Sequence, residues 1–288
     1  MADVMPLPEQ AAKLSSMNRT LPMATRLPCY LALAYAVLIV YASLYPFANW
    51  RDVGLPVLSF LDAAWPRYWT VFDLVVNVLV YLPLGFLLTL ALRGLPTRCL
   101  PPIAALLFGA LLSFCLETLQ TWLPSRVPSN LDLACNALGT AIGALLALSC
   151  GARIFGRLSL LQQSLLVHKP YAELGLVLVG LWLLTQLSPE TILFGAGDLR
   201  HLLDITPAVP YEAPSFFALE TGIIVSNTIA IGLIVRELLA ARKPPYFALL
   251  VFFLMALAIR TLAAAILVDP LHAFAWLTPG AEIGRAHV

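Results

Sequence analysis

Asp73-Leu-Val-Val-Asn-Val-Leu-Val-Tyr-Leu-Pro-Leu-Gly-Phe86 decides the fold of this chain. Past Asn77 the segment stays apolar through Leu92, so it has the length of about 20 residues that a helix needs to cross a bilayer. Its two polar side chains, Asp73 and Asn77, stand four residues apart at the start and share one helix face. The same phrase returns as Asp132-Leu-Ala-Cys-Asn136, again at the head of a long apolar run. An Asp at a membrane boundary is costly, and two placed alike point to a site.

The rest of the chain agrees with a membrane protein. Of 288 residues, 60% are hydrophobic and 11% charged, and the mean hydropathy is +0.88. A soluble domain carries about 25% charged residues. In lipid every backbone polar group must be satisfied within the protein, so spans are helices or closed barrels. Runs of this length select helices. The expected fold is therefore all-α, a polytopic transmembrane bundle with spans near 29–47, 71–92, 103–122, 131–150, 173–189, 216–235 and 246–268. Pro and Gly punctuate the gaps, and Trp50, Trp65, Tyr68 and Trp69 form an interfacial aromatic group between the first two spans. The formal net charge of +1 gives no field for nucleic acid, and no nucleic-acid partner is expected.

The distribution of Lys and Arg sets an orientation. Eleven (Lys13, Arg19, Arg26, Arg93, Arg98, Arg153, Arg157, Lys169, Arg236, Arg242, Lys243) fall on one side and four (Arg51, Arg67, Arg126, Arg200) on the other. The positive-inside rule then places the N-terminus in the cytoplasm. The chain divides into a cytoplasmic segment 1–28, a four-helix module 29–150, a basic connector 151–172 lying on the membrane surface, and further spans in 173–281. The last residues, Glu282-Ile-Gly-Arg-Ala-His-Val288, read as translated adapter DNA, so the natural chain is expected to continue past about Ala281.

With that orientation Asp73, Asn77, Glu117, Gln120, Arg126, Asp132 and Asn136 all reach the outer face at similar depth, with Tyr81 one turn below Asn77. Both Asp residues begin helices, where capping and the helix dipole favour a carboxylate. Glu117 differs, because it sits in the C-terminal half of its span, where the dipole opposes it. Arg126 is the expected partner of Asp132 or Glu117, which leaves an excess of acceptors suited to a hard cation or a bound ammonium. Spans one and two, and spans three and four, read as two copies of one hairpin. Pro83 frees the carbonyl of Leu79 and predicts a kink. Gly139 and Gly143, extended by Ala147, form a small-residue stripe for close packing inside the molecule.

Other features carry less chemistry. The five cysteines show no C-x-x-C pair and read as small packing residues, with Cys115 and Cys135 the one pair at similar depth. Gly197 to Asp204 reads as a solvated turn, since His201 alone is too few ligands. Arg260, inside the last span, is expected to pair with Glu220 or to snorkel. No metal and no cofactor are assigned.

The Asp73–Phe86 words, Glu117-Thr-Leu-Gln120, and Arg126, Ser129, Asp132, Asn136, Gly139 and Gly143 downstream together resemble the VanZ-like family of small integral membrane proteins, over roughly residues 30–150. The family takes its name from a glycopeptide-resistance accessory protein associated with lowered teicoplanin sensitivity. The resemblance implies a class without a reaction. Residues 173–288 extend beyond the usual four-helix module. The reading is a multi-pass protein of the inner (cytoplasmic) membrane, in contact with membrane lipids, whose outward polar pocket binds a lipid head group or wall-precursor fragment. Asp73, Asn77, Tyr81, Glu117, Gln120, Arg126, Asp132 and Asn136 are the ligand-binding candidates, and catalytic residues are unassigned. The alternatives are a membrane enzyme acting on a phosphorylated polyprenyl or lipid head group, and a non-catalytic scaffold.

Overall fold

The computed structural model describes residues 26–65 except Val53 and Leu55, 69–195 except His168, Pro170, Pro189 and Glu190, then 213–239, 245–268 and positions 270, 273, 274 and 277. Among the described residues the chain is helical: α1 Leu27–Leu44, α2 Ser59–Asp62, α3 Val71–Ala91, α4 Leu100–Gln120, α5 Asn130–Leu165, α6 Ala172–Thr185, α7 Ala213–Leu238 and α8 Pro245–Leu267. The N-terminal segment, the turn from Gly197 to Asp204, Arg67, Tyr68 and the tail 282–288 lie outside the described residues.

Six helices are long and apolar enough to cross a membrane, and α6 is a seventh, shorter apolar helix. In each of the six, a third or less of the most apolar window is buried inside the protein. The remaining apolar surface needs lipid around it. The starts are built by local chemistry. Pro28 opens α1 and Pro101 and Pro102 open α4, where a missing N–H costs nothing. Thr70 and Asp73 form a capping box at α3.

The expectation of about seven spans is consistent with these six helices and α6, which has 14 residues and is about 21 Å long, shorter than the roughly 30 Å hydrocarbon core. After it the chain turns back, and Leu193 and Phe194 are buried beside Trp182, whose ring stacks on Phe252 at 5.7 Å. In the basic connector, α5 runs without a break through Gly151 to Leu165.

The N-terminal module is built on α5, which packs along α3 and α4, while α1 packs on α3. The Gly139–Gly143 stripe works inside the molecule. A Cβ at Gly139 would strike the Val78 carbonyl and one at Gly143 the Leu82 carbonyl, so α3 and α5 touch backbone to backbone. Pro83 stays within α3, and the Tyr35 hydroxyl donates to the neighbouring Val80 carbonyl at 2.9 Å. All five cysteines are free, with Cys115 exposed on α4. The C-terminal helices form a second core around Trp182, Ile224 and Phe252, and α1 packs on α6 to join the two parts. Arg260, buried in the middle of α8, donates to Thr191 Oγ1 at 3.3 Å and to the Thr191 carbonyl.

Candidate functional site

Helices α3 and α5 start, and α1 and α4 end, at the same end of the module. This follows from antiparallel hairpins and brings the echoed phrases together. Three helices then contribute side chains at a spacing of four: Asn77 and Tyr81 from α3, Ser113 and Glu117 from α4, Asp132 and Asn136 from α5. Residues four apart lie one above the other on a helix, so the six side chains form two layers.

The upper layer holds Asn77, Glu117 and Asp132. Asn77 Nδ2 donates to Asp132 Oδ1 at 2.9 Å, joining α3 to α5. Glu117 is 4% exposed, and its Oε2 accepts the backbone N–H of Ser129 at 2.8 Å. Ser129 in turn caps α5, its Oγ accepting from Leu131 and Asp132 N–H at 3.2 and 3.3 Å. One turn below, Asn136 Nδ2 donates to Ser113 Oγ at 2.9 Å, and Tyr81, 3% exposed, interacts with Ser113 and lies within electrostatic reach of Glu117. Asn136 Oδ1 is buried and accepts no hydrogen bond.

A further turn down, the column closes. A Cβ at Gly85 would strike the Thr140 backbone and one at Gly109 the Thr140 side chain, whose hydroxyl donates to the Asn136 carbonyl at 2.9 Å. Thr89, Ala105 and Ala144 continue the same three stripes, all buried. The polar layers thus stand over a floor of small residues packed backbone to backbone. At the other end, residues 56–65 lie across the helix ends: Phe60 is buried with its ring 6.2 Å from Phe114, and Asn130 Nδ2 donates to the Ala63 carbonyl at 2.7 Å.

The charges are one-sided. Glu117 feels Asp132, and Asp132 feels Asp73, so each carboxylate is within electrostatic range of another. No three of them converge closely enough to hold a metal ion among the described residues. The expected cation is elsewhere. Arg126 Nη2 donates to the carbonyls of Ala42 and Tyr45 at 3.1 and 3.2 Å, and Gln120 Nε2 donates to the Ser43 carbonyl at 3.1 Å. Both side chains satisfy the carbonyls left open where α1 ends. Asp73 is exposed and turned to Thr70, taking its hydroxyl at 2.7 Å and its N–H at 3.1 Å.

Of the eight candidate residues, the structure therefore gathers Asn77, Tyr81, Glu117, Asp132 and Asn136, keeps Asp73 at the rim, and gives Gln120 and Arg126 to the end of α1. Ser113 was missed, although its spacing of four from Glu117 was the available signal. Ser129 stood among the residues of the family resemblance, and Ser129-Asn-Leu-Asp132 has the pattern of a helix start, whereas the contact of its N–H with Glu117 depends on the turn.

A family model described as VanZ/LLP1 matches residues 13–154. No curated protein and no solved structure matches the chain. The matched stretch contains α1 and the three helices that build the polar column, α3, α4 and the membrane-spanning part of α5. The chain is thus a multi-pass membrane protein whose N-terminal module belongs to the VanZ/LLP1 family.

Proposed function

We propose that the module is a binding site of the cytoplasmic membrane, open to the outer face, for a cell-envelope ligand: a lipid head group or a wall-precursor fragment. The observation that carries this is the stacking of six polar side chains from three helices over a packed floor. A charged side chain at the bilayer centre costs about 2.5–3.5 kcal/mol on the insertion scale. Helix capping accounts for Asp73, and helix-end satisfaction accounts for Gln120 and Arg126. For Glu117, buried in the second half of α4, the start of α5 accounts for one oxygen, which accepts the Ser129 N–H, and leaves the other oxygen without such a role.

In this reading Glu117, Asp132 and Asn136 take the ligand's hydrogen-bond donors, Asn77 and Ser113 hold those acceptors in place, and Tyr81 forms the wall. Arg126, exposed and three residues before Ser129, meets an anionic group of the ligand at the rim through the donors that its α1 contacts leave over. Asp73 sets the charge of the entrance. The floor of Gly85, Gly109 and Thr140 supports binding rather than passage. The antibiotic link implied by the family resemblance follows if the ligand is a wall precursor.

Ligand binding by the purified protein and envelope-drug sensitivity of the cells test this together. Glu117→Gln and Asp132→Asn are expected to lower both while the protein remains folded. Unchanged binding and sensitivity in folded variants would refute the site. Loss of folded protein without any separable binding effect would favour a scaffold, and turnover of a lipid-linked substrate abolished by Glu117→Gln would favour an enzyme. Labelling at Ser125→Cys from the outer side tests the orientation, and labelling only from the cytosol would overturn it.

A further inference from the structure

The chemistry of the polar column narrows the ligand, on the reading that the column is a binding site. Its lining is rich in acceptors. Glu117 uses Oε2 for the Ser129 N–H and Asp132 uses Oδ1 for Asn77, while Glu117 Oε1 and Asp132 Oδ2 accept nothing among the described residues. Beneath them Asn136, 6% exposed, has a buried Oδ1 with no donor. A buried acceptor left unsatisfied costs about 1–3 kcal/mol, which a ligand bringing a donor offsets. This orphan oxygen sits one turn below Asp132, beside Ser113, which is itself one turn below Glu117.

The charge balance points the same way. The charges that act on Glu117 and Asp132 are those of other carboxylates, and Arg126 is held by the carbonyls of Ala42 and Tyr45. Among the described residues no three His, Cys, Asp or Glu side chains gather as a metal ion would need. A quaternary ammonium has no N–H and prefers aromatic faces, whereas oxygen acceptors dominate this column. Close packing at Gly85, Gly109 and Thr140 closes the column below Asn136.

We propose that the polar column binds a primary ammonium group, whose three N–H donors are taken by Asp132, Glu117 and Asn136 Oδ1. Such a group is carried by an ethanolamine phospholipid and by the amino side chain of a wall peptide. The shared chemistry is the recognition.

The full-length protein, purified in an amine-free buffer, is titrated with ethanolamine, choline and inorganic phosphate, and its thermal unfolding is followed. Ethanolamine is expected to raise the Tm and choline and phosphate to leave it in place. Asp132→Asn is expected to weaken ethanolamine by about tenfold or more, a loss of about 1.4 kcal/mol. Asn136→Asp, which adds an acceptor of the same shape, is expected to strengthen it several-fold, and it serves as the readout if Asp132→Asn does not fold. Nanodiscs of phosphatidylethanolamine against phosphatidylcholine, and a lysine-ended peptide against its acetylated form, separate the two sources. If choline protects as well as ethanolamine, or if Asn136→Asp weakens binding, the ammonium assignment falls. If phosphate protects instead and Glu117→Gln abolishes that protection, the assignment falls while the envelope-binding site stands. If envelope extract also leaves the Tm unchanged, both fall.

Discussion

Asp73-Leu-Val-Val-Asn77 and Asp132-Leu-Ala-Cys-Asn136 have the same spacing and open helices at the same end of the module, yet they do different work. In the first copy the Asp is exposed and turns back to Thr70 to close a capping box, and the Asn reaches across to α5. In the second the Asp receives that Asn, and its own Asn is buried against Ser113 with one oxygen unsatisfied. The reason is position. α5 packs on both α3 and α4, and Asp132 and Asn136 face them, whereas the first residues of α3, Val71 to Asp73, are exposed. Asp132 lies within electrostatic range of both Glu117 and Asp73, and it receives a hydrogen bond from another helix, whereas the side-chain hydrogen bonds of Asp73 go only to Thr70 among the described residues. A repeated motif therefore reports a repeated helix start, and the packing around each copy decides which one carries chemistry.

The crossing that joins the two copies is the most sensitive place to break them. Gly143→Leu puts a side chain into the Leu82 carbonyl and the Phe86 amide of α3, where backbone cannot yield. It is expected to destabilise by about 3 kcal/mol or more, enough to lose the monodisperse protein in detergent. Normal yield and Tm would show that α3 and α5 can part without cost.

Next in size is the contrast between the two Asp residues. Asp132→Ala strands the Asn77 amide and is expected to cost about 1–3 kcal/mol. Asp73→Ala removes one side of a cap and is expected to cost about 1 kcal/mol. Thermal or denaturant unfolding of the two variants in one detergent measures the difference. Equal effects would mean that both copies are only caps.

A double-mutant cycle on Asn77→Ala and Asp132→Ala sharpens this. The expected coupling is about 0.6 kcal/mol, the average for polar pairs between membrane helices. A cycle of Asn77→Ala with Asp73→Ala is expected to give none, although those two share a helix.

The smallest effect is expected from Arg126→Ala, which releases the Ala42 and Tyr45 carbonyls at the exposed end of α1. It is expected to cost about 0.5–1.5 kcal/mol and to raise hydrogen exchange in the last turn of α1 alone. Faster exchange at the starts of α3 and α5 would place Arg126 in the polar column after all.

Much of this was legible in the residues. Long apolar runs determine helices, because lipid offers the backbone no other partner. The four-residue spacings 73–77 and 132–136 determine which side chains share a face, because the helix repeat is fixed by covalent geometry. The glycine stripe announced close packing inside the molecule for the same reason. The shortness of α6 was not legible, because Ala172–Thr185 and the residues after it are apolar throughout and only the turn back onto Trp182 divides them. Nor was the continuation of α5 to Leu165, since the apolar run ends near Cys150 while the helix continues through Gly151 and Gly156, which a helix tolerates.

The sequence by itself determined the class of protein, the helices, and the polar set from which a site must come. Only tertiary structure decided membership. Arg126 and Asp132 are near in sequence and of opposite charge, and every local rule pairs them. The end of α1 arrives from 81 residues away to claim the arginine through the Tyr45 carbonyl, and α3 supplies Asn77 to the aspartate instead. Partners of that kind are set by which helix ends meet in space, and no local pattern contains that information.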